Sequence, residues 1–513
     1  MNDYLQRILR ARVYDVAVES PLELAPSLSE RLSNRIWLKR EDLQSVFSFK
    51  LRGAYNRMLQ LSPTELKRGV IASSAGNHAQ GVALAASRLG CKAVIVMPVT
   101  TPKMKIRSVA ARGDAQIILH GDTYDEAYRE AKRLAVEAEL CFIHPFDDPD
   151  VIAGQGTIGL EILRQLSEPP EAIYIAVGGG GLIGGISAYI KALWPDVEIV
   201  GVEPAAAAAM TRSLEAGKRI ILDQVGLFAD GVAVKQVGEY TFSLAQEHVD
   251  AMITVSTDEI CAAIKDVFED TRSILEPAGA LAIAGMKADI VQRNMKGRSL
   301  VAVACGANMN FDRLRFVAER AELGEEREAM LAVTIPELPG SLRRLCEVIG
   351  NHNFTEFSYR MAEAGQANIF LGLQVTGLED THKIMNNLKE ADYLCLDLSN
   401  NELAKMHLRH MIGGQLPEQV KILFKGDYKE LIYRFEFPER PGALMRFVSA
   451  LLPEWSISMF HYRNHGADVG RIVVGVIVKE SEQTQWQSFL QEVGYRYWDE
   501  NNNPAYSLFL GNS

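Results

Sequence analysis

The 513-residue chain has only six cysteines, and none of them forms a CxxC pair. Cysteines scattered in this way argue against a disulfide framework and against a zinc knuckle, and they indicate reduced thiols. The sequence also lacks an uninterrupted apolar run approaching the roughly 20 residues that span a bilayer. We therefore predict a soluble globular protein with no membrane partner.

The sequence also lacks an excess of positive charge, since the formal net charge is -11 at pH 7 and Lys and Arg form no cluster. This balance argues against a nucleic-acid partner, because affinity for the phosphate backbone comes mainly from clustered basic side chains. The first residues, MNDYLQRILRARVYD, lack the apolar core of a secretory signal, which predicts a cytoplasmic location. The pairs His407/His410 and His461/His465 lack further nearby ligands, so no metal is predicted there.

Short β-branched segments alternate with helical patterns from Arg68 to about Gly306. Such alternation predicts an α/β fold with a mainly parallel sheet, and several segments are apolar throughout, as expected when helices cover both faces. Ligands bind such sheets at the carboxyl ends of the strands. The predicted strands are RGVIASS, KAVIVMP, AQIILH, AIYIAV, VEIVGVEP, AMITVST and SLVAVACG.

The C-terminal part of the sequence repeats itself after a charged segment, residues 318–329, that is predicted to be a helix. LAVTIPELPGSLRRLCEVIG, from Leu331, matches YRFEFPERPGALMRFVSALL, from Tyr433, and Tyr359 and Tyr462 lie at matching positions farther on. The repeat predicts two similar βαββ-type modules. They could form an oligomerisation scaffold or a paired sensor of small molecules. A Pro-Gly turn before a helix can hold a carboxylate, which favours the sensor.

Four consecutive glycines, residues 178–181, follow the strand AIYIAV and precede a helix. Because glycine has no Cβ, such a loop can direct several backbone N–H groups at one phosphate. Gly179, Gly181 and Gly184 also satisfy GxGxxG, and Glu203 follows at the spacing of a dinucleotide fingerprint. A nicotinamide enzyme and a purely structural glycine run therefore remain alternatives to the phosphate loop.

A second loop, IASSAGNHAQG, begins at Ile71, where a predicted strand ends in two serines and a helix starts. Its hydroxyls, its free N–H groups and the Asn77 amide form a donor-rich site suited to a substrate carboxylate or to a ring oxygen. In the alternative interpretation, Ser73 or Ser74 merely caps the helix.

Lys50, in SFKLRGAYN, lies among aromatic, small and hydroxyl residues. Together with a phosphate loop and a carboxylate loop, such a lysine supplies what a pyridoxal phosphate enzyme needs. Cys305 follows the last predicted strand of the alternating region, where a partner for the pyridine nitrogen could lie.

Five motifs in this order, SFKLRGAYN, SSAGNHAQG, VGGGGLIGG, EPAGA and CGANMNF, resemble those of the fold-type II pyridoxal phosphate enzymes, and among them the serine/threonine dehydratases. The C-terminal repeat resembles paired ACT-like regulatory modules. The resemblance implies open, twisted, mainly parallel sheets in two subdomains, followed by two α+β modules. The implied boundaries are 1–320 for the catalytic domain with a small subdomain at about 45–145, 321–328 for a linker, 329–400 for module 1, 401–428 for a connector and 429–513 for module 2.

The resemblance also implies a role for each motif residue. Lys50 would form the Schiff base with the cofactor and take the α-proton of the substrate. Cys305 would face the pyridine nitrogen, and the sequence does not decide between a thiol and a thiolate there. The other implied contacts are Phe49 beside the ring, Asn77 at the ring hydroxyl, Glu276 near the cofactor, Gly178, Gly179, Gly180, Gly181 and Leu182 around the phosphate, and Ser73, Ser74, Ala75, Gly76 and Asn77 at the substrate carboxylate.

The implied activity is dehydration and deamination of L-threonine to 2-oxobutanoate and ammonia, the committed step toward isoleucine, by a homotetramer. L-serine is the alternative substrate, and an NAD-dependent oxidoreductase is the alternative class. Isoleucine would inhibit the enzyme, and valine would oppose that inhibition. Tyr359 and Tyr462, each placed at a strand end, are either effector contacts or ordinary strand residues. No cation is expected at Glu203, because Ala209 stands where racemase-like relatives have an acid.

Overall fold

The structure is a computed structural model that describes residues 2–336, 341–350, 352, 354–363, 366–407, 428–438, 446–447, 450–452, 455–463 and 469–509. The chain divides into two compact units, Met1–Ala321 and Glu322–Ser513. Over the described ranges, no helix combines the length and the apolar character needed to cross a membrane.

The first unit contains ten strands and, among its described residues, fourteen α-helices besides three short 3-10 helices. The strands are β1 Leu22–Leu24, β2 Arg35–Arg40, β3 Val70–Ser73, β4 Ala93–Met97, β5 Gln116–Leu119, β6 Cys141–Phe142, β7 Ala172–Ala176, β8 Glu198–Pro204, β9 Ala251–Val255 and β10 Ser299–Ala304. The helices are α1 Asn2–Arg10, α2 Pro26–Leu32, α3 Lys50–Leu59, α4 Pro63–Arg68, α5 Asn77–Leu89, α6 Lys103–Ala110, α7 Tyr124–Glu137, α8 Pro149–Gln165, α9 Gly181–Leu193, α10 Ala209–Ala216, α11 Glu239–His248, α12 Thr257–Thr271, α13 Pro277–Gln292 and α14 Arg313–Gly324.

These strands form two sheets. The larger sheet has the order β1-β2-β10-β7-β8-β9 and is parallel except for β1, and the smaller sheet has the order β5-β4-β3-β6 and is parallel throughout. The predicted α/β class is therefore confirmed, and all seven predicted strands are present as β3, β4, β5, β7, β8, β9 and β10. Strands β1, β2 and β6 were not predicted, because β1 and β6 are very short and β2 contains charged residues in place of an apolar run.

The central strands of the larger sheet are buried along their whole length. Every residue of β7 is buried, and in β10 only Ser299 is partly exposed. Helices cover both faces, so these strands need no polar side, and burying each Ile or Val side chain contributes about 1.5 to 3 kcal/mol. This core fixes the edge at which the loops after β7 and β10 emerge together.

The second unit contains two four-stranded antiparallel sheets with equivalent strand orders, β12-β13-β11-β14 and β16-β17-β15-β18. Tyr359 pairs with Ile369 and Tyr462 pairs with Ile472, so the repeat has the same register in both modules. Two similar α+β modules are therefore confirmed. Their strands are β11 Glu328–Pro336, β12 Phe354–Glu363, β13 Gln366–Gln374, β14 Leu394–Asp397, β15 Tyr428–Pro438, β16 Ser456–Arg463, β17 Val469–Lys479 and β18 Arg496–Asp499, and their described helices are α15 Ser341–Ile349, α16 Leu378–Glu390, α17 Glu402–Met406, α18 Gln483–Val493 and α19 Pro504–Phe509.

Two local predictions for this region were wrong in detail. A helix was expected over residues 318–329, but the observed helix, α14, runs from Arg313 to Gly324. The helix ends before residue 329 because Glu328 already pairs with Gln374 at the start of β11. Tyr359 lies in the middle of β12, not at its end, because pairing with β13 continues to Glu363. Both Pro-Gly turns of the repeat, at residues 339–340 and 441–442, lie outside the described residues.

Candidate active site

A cavity lies where the loops after β7 and β10 meet the starts of α3, α5 and α13, and its empty space of about 430 Å³ includes solvent at its open mouth. All ten residues expected at the cofactor line it. They are Phe49, Lys50, Asn77, Gly178, Gly179, Gly180, Gly181, Leu182, Glu276 and Cys305.

Lys50 is the first residue of α3, and its side chain is half-buried in the cavity. The Nζ atom donates a hydrogen bond to the Pro145 carbonyl oxygen at 3.1 Å and lies 5.1 Å from the centre of the Phe49 ring. Burial lowers the pKa of Lys50 to about 8, because the charged form loses hydration. Near neutral pH, a larger share of this amine is therefore neutral, and nucleophilic, than in an exposed lysine.

The segment before Lys50 is fastened to the end of β10. The Phe49 N–H donates to the Cys305 carbonyl oxygen at 3.3 Å, and Ser48 forms an antiparallel bridge with Gly306. These bonds bring the lysine and the thiol to the same wall of the cavity.

The glycine loop connects β7 to α9. Gly180 is in the left-handed region, with φ of 93°, which favours glycine. The Gly179 carbonyl oxygen accepts from Thr241 Oγ1 at 2.6 Å and from the Gly238 N–H at 3.3 Å, so this peptide is held from the side of α11. Within the described residues, the N–H groups of Gly178–Leu182 donate to no other protein atom. They stand at the positive end of the α9 dipole, an arrangement that binds phosphate.

Cys305 is buried, and its Sγ donates to the Ala278 carbonyl oxygen at 3.3 Å. Burial raises the pKa of this thiol well above its ordinary value. The residue is therefore a neutral thiol at physiological pH, which answers a question that the sequence left open.

Glu276 is the N-cap residue of α13, and Asn77 is the first residue of α5. The Asn77 amide nitrogen donates to Glu276 Oε1 at 2.5 Å, so the two side chains form one wall of the cavity. Burial, together with the charge of Asp230, raises the pKa of Glu276 to about 7.

The loop expected to hold a substrate carboxylate joins β3 to α5. Ser73 is buried, and its hydroxyl has no hydrogen-bond partner among the described residues, while Ser74 Oγ accepts from the Gly76 N–H at 3.2 Å. A Cβ added to Gly76 would meet nothing within 4 Å, so the loop is open on that side. Of this loop, Asn77 lines the cavity, and residues 73–76 lie beside it.

Glu203, the acid that the dinucleotide-binding alternative requires, already forms hydrogen bonds with other residues of the protein. Glu203 is buried, and its carboxylate accepts from the N–H groups of Met210 and Thr211 at 2.8 Å and from Thr211 Oγ1 at 2.7 Å. Both oxygens therefore hold the start of α10 and are not available for a ribose.

Comparison with known proteins decides the family. The sequence profile described as "Pyridoxal-phosphate dependent enzyme" matches residues 14–306, and that of the "C-terminal regulatory domain of Threonine dehydratase" matches residues 319–408 and 425–510. The chain is 54% identical to a biosynthetic L-threonine dehydratase of Burkholderia multivorans, over 99% of both chains. It is 47% identical to the biosynthetic L-threonine dehydratase of Escherichia coli, over 99% of this chain and 97% of the other. The chain belongs to the threonine dehydratase family of pyridoxal-phosphate-dependent enzymes.

A solved structure agrees with this membership. The processed form of threonine deaminase isoform 2 from Solanum lycopersicum is 55% identical to this chain, with a TM-score of 0.61, and the match covers 62% of this chain and 93% of that one. The predicted fold class, a fold-type II catalytic unit followed by two regulatory modules, is thereby confirmed.

The cavity suits the cofactor of this dehydratase family. Free N–H groups at a helix start match a phosphate, and an amine with a lowered pKa matches an aldehyde. A neutral thiol matches a ring nitrogen that accepts a weak hydrogen bond. Gly178–Leu182, Lys50 and Cys305 would provide these three contacts.

The sequence analysis missed one segment of this family site, residues 144–147. The Phe146 ring lines the cavity and covers the glycine loop, and a Cβ on Gly179 would lie only 2.3 Å from it. Asp147 holds this segment in place by accepting from the N–H groups of Glu239 and Tyr240 at 2.9 Å. The sequence HPFD carries no glycine run or repeat, so only the fold identifies it. The other unpredicted lining residues are Ala176, Gly231, Val232 and Ala278.

The structure does not extend to the expected effector contacts. Tyr359 and Tyr462 have known strand positions, but their side chains lie outside the described part of the structure. Over that described part, no group of three His, Cys, Asp or Glu side chains could hold a metal ion.

Proposed function

We propose that this chain dehydrates and deaminates L-threonine to 2-oxobutanoate and ammonia, with pyridoxal phosphate as its cofactor, as the committed step toward isoleucine. The observation that carries the proposal is the single cavity that contains the Lys50 amine, the glycine loop and the Cys305 thiol. Relatives named biosynthetic threonine dehydratase along nearly the whole chain support threonine as the substrate.

When bound, pyridoxal phosphate supplies an aldehyde that bonds to an amine and a ring that withdraws electrons from the α-carbon of the substrate. The Lys50 amine would hold the aldehyde, and the free amine would remove the α-proton of the substrate. Its lowered pKa suits both tasks, because a neutral amine is required each time. The Pro145 carbonyl oxygen, which accepts from Nζ, keeps the amine directed along one wall.

The remaining residues bind and orient. Gly178–Leu182 would hold the phosphate through backbone N–H groups, and the α9 dipole adds to the attraction. Residues 73–77 would hold the substrate carboxylate, which the unpartnered Ser73 hydroxyl supports. Cys305 would contact the ring nitrogen as a neutral thiol, with its S–H turned from the Ala278 carbonyl oxygen to the ring, and this contact would leave the ring largely unprotonated.

For the second unit we propose feedback inhibition by isoleucine, opposed by valine. The regulatory-domain profile matches both modules, and this match supports a regulatory role. The repeated strand register gives the two modules equivalent candidate effector sites. Such regulation requires the effector to bind two states of the protein unequally. We further propose a homotetramer in the cytoplasm.

The proposal is tested on the full chain by assaying 2-oxo acid formation from threonine and from serine, with and without isoleucine. The purified protein should be yellow, and borohydride should attach the cofactor at Lys50. Lys50→Ala should abolish both colour and turnover while isoleucine still binds. Lys191→Ala is the matched control, because Lys191 is paired with Asp250 at the far end of α9 and should leave turnover unchanged. A colourless wild-type protein, or hydride transfer to added NAD without keto acid formation, would refute the proposal.

A further inference from the structure

A chain of three amide and carboxyl side chains runs along one wall of the cavity. Asn308 Nδ2 lies 2.7 Å from Asn77 Oδ1, and Asn77 Nδ2 lies 2.5 Å from Glu276 Oε1. Asn308 belongs to the segment after β10, Asn77 begins α5, and Glu276 caps α13. Three separate parts of the sequence therefore meet at one amide.

The hydrogen bonds of Asn308 determine which way its own amide is turned. One of its amide atoms lies 2.7 Å from the carbonyl oxygen of Val46, which is buried. A backbone carbonyl can only accept, so this atom must be the nitrogen. The same nitrogen faces Asn77, and with one hydrogen directed at each acceptor its donating capacity is used completely.

The orientation of Asn77 follows from that of Asn308. The atom of Asn77 that faces the Asn308 nitrogen must accept, so it is Oδ1, and Nδ2 is turned to the opposite side. On that side one amide hydrogen goes to Glu276. The second hydrogen of Nδ2 is left for an acceptor within the cavity, which Asn77 lines.

We propose that Asn308 is a positioning residue that locks the Asn77 amide with its N–H toward the cofactor ring oxygen. Asn308 itself does not line the cavity, so it acts only through Asn77. Without it, the Asn77 amide could rotate by half a turn, and its oxygen would then face both the Glu276 carboxylate and the ring oxygen. The inference rests on the proposed function, since it assumes that the ring oxygen lies against Asn77.

The test is a double-mutant cycle with Asn77→Ala and Asn308→Ala, read as the dissociation constant of the cofactor and as the position of its visible absorption band. We expect Asn308→Ala alone to weaken cofactor binding about tenfold, the loss of one well-placed hydrogen bond, and to shift the band. In the Asn77→Ala background the same change should have almost no further effect. Additive losses of affinity, or an unmoved band in Asn308→Ala, would overturn the proposal.

A matched control separates positioning from folding. The Asn34 amide also donates to two carbonyl oxygens, those of Leu32 at 2.7 Å and Met295 at 2.9 Å, and it does not line the cavity. Asn34→Ala should lower the melting temperature and leave the absorption band in place. If Asn308→Ala does not fold, Asn308→Asp supports the same cycle, because an ionised carboxylate cannot donate to Asn77. A wild-type protein that binds no cofactor would refute the proposed function and this inference with it, whereas cofactor binding that Asn308→Ala leaves unchanged would refute this inference alone.

Discussion

Replacement of Arg52 by methionine should destabilise the first unit strongly. Arg52 is fully buried two residues after Lys50, and its guanidinium donates to Glu41 at 2.7 and 2.8 Å and to Glu161 at 2.5 and 3.0 Å. Lys39 also contacts Glu161, at 2.7 Å, so two buried cations balance two buried carboxylates. Methionine keeps most of the volume and removes the charge.

The magnitude follows from the charge that would be left behind. Without Arg52, two carboxylates in a water-free site would share Lys39 alone, and breaking such a buried network costs about 3 to 5 kcal/mol. The unfolding entropy of a unit of about 320 residues is about 0.7 kcal/mol per kelvin. The melting temperature should therefore fall by about 4 to 8 °C.

The loss should also depend on pH. Burial opposes ionisation of Glu41, but the charge of Arg52 outweighs it and holds the pKa of Glu41 below its ordinary value. Such a group stabilises the wild type above its unfolded-state pKa, and this contribution is lost as the pH falls. In Arg52→Met the pKa of Glu41 should rise, so the difference between the two proteins should narrow as the pH falls from 8 toward 5.

The assay is thermal unfolding of the full chain without cofactor, followed by circular dichroism. Arg133→Met is the matched control, because Arg133 also joins two carboxylates, Glu130 and Glu137, but on the exposed face of α7. Water screens that network, so its removal should hardly change the melting temperature. A melting temperature of Arg52→Met equal to that of Arg133→Met, or a difference that widens at low pH, would refute the reasoning.

Two further predictions concern the cavity. The rate at which cofactor-free protein captures pyridoxal phosphate, followed by visible absorbance, should rise with pH through a midpoint at about 8 and then level off, because only the neutral Lys50 amine reacts. A midpoint near 10 would contradict the lowered pKa. Gly179→Ala should weaken cofactor binding and lower the melting temperature, because its Cβ would lie 2.3 Å from the Phe146 ring and overpacking costs about 1 to 3 kcal/mol. Adding Phe146→Ala should remove part of that loss in melting temperature, and strictly additive losses would contradict the clash.

Much of the fold could be predicted from local patterns. The strands β7 and β10 are apolar runs because helices cover both faces, and that requirement is visible in the composition of a short segment. The repeat, too, was recognisable because each module must bury its own sheet against its own helices. The end of α14 was placed incorrectly, because pairing between Glu328 and Gln374, 46 positions apart, decides where β11 begins.

Sites made of short motifs were also within reach of the sequence. Lys50, Asn77 and the glycine loop each lie in a short motif whose residue types suit the proposed chemistry, so each could be singled out from its own segment. Phe146 and Asn308 could not be found in this way, because a phenylalanine or an asparagine is ordinary until its neighbours are known. Their importance comes from contacts with Gly179 and Asn77 across the fold.

The amino-acid sequence by itself determined which segments become buried strands, and it singled out two loops suited to an anion and Lys50 as a candidate nucleophile, because these properties depend on residue type and local order. Only the tertiary structure decided the protonation of Cys305, the engagement of Glu203 and the orientation of the Asn77 amide. Each of these depends on burial or on a hydrogen-bond partner from another part of the chain. Hydration and partners are set when distant segments pack together, and no local pattern encodes them.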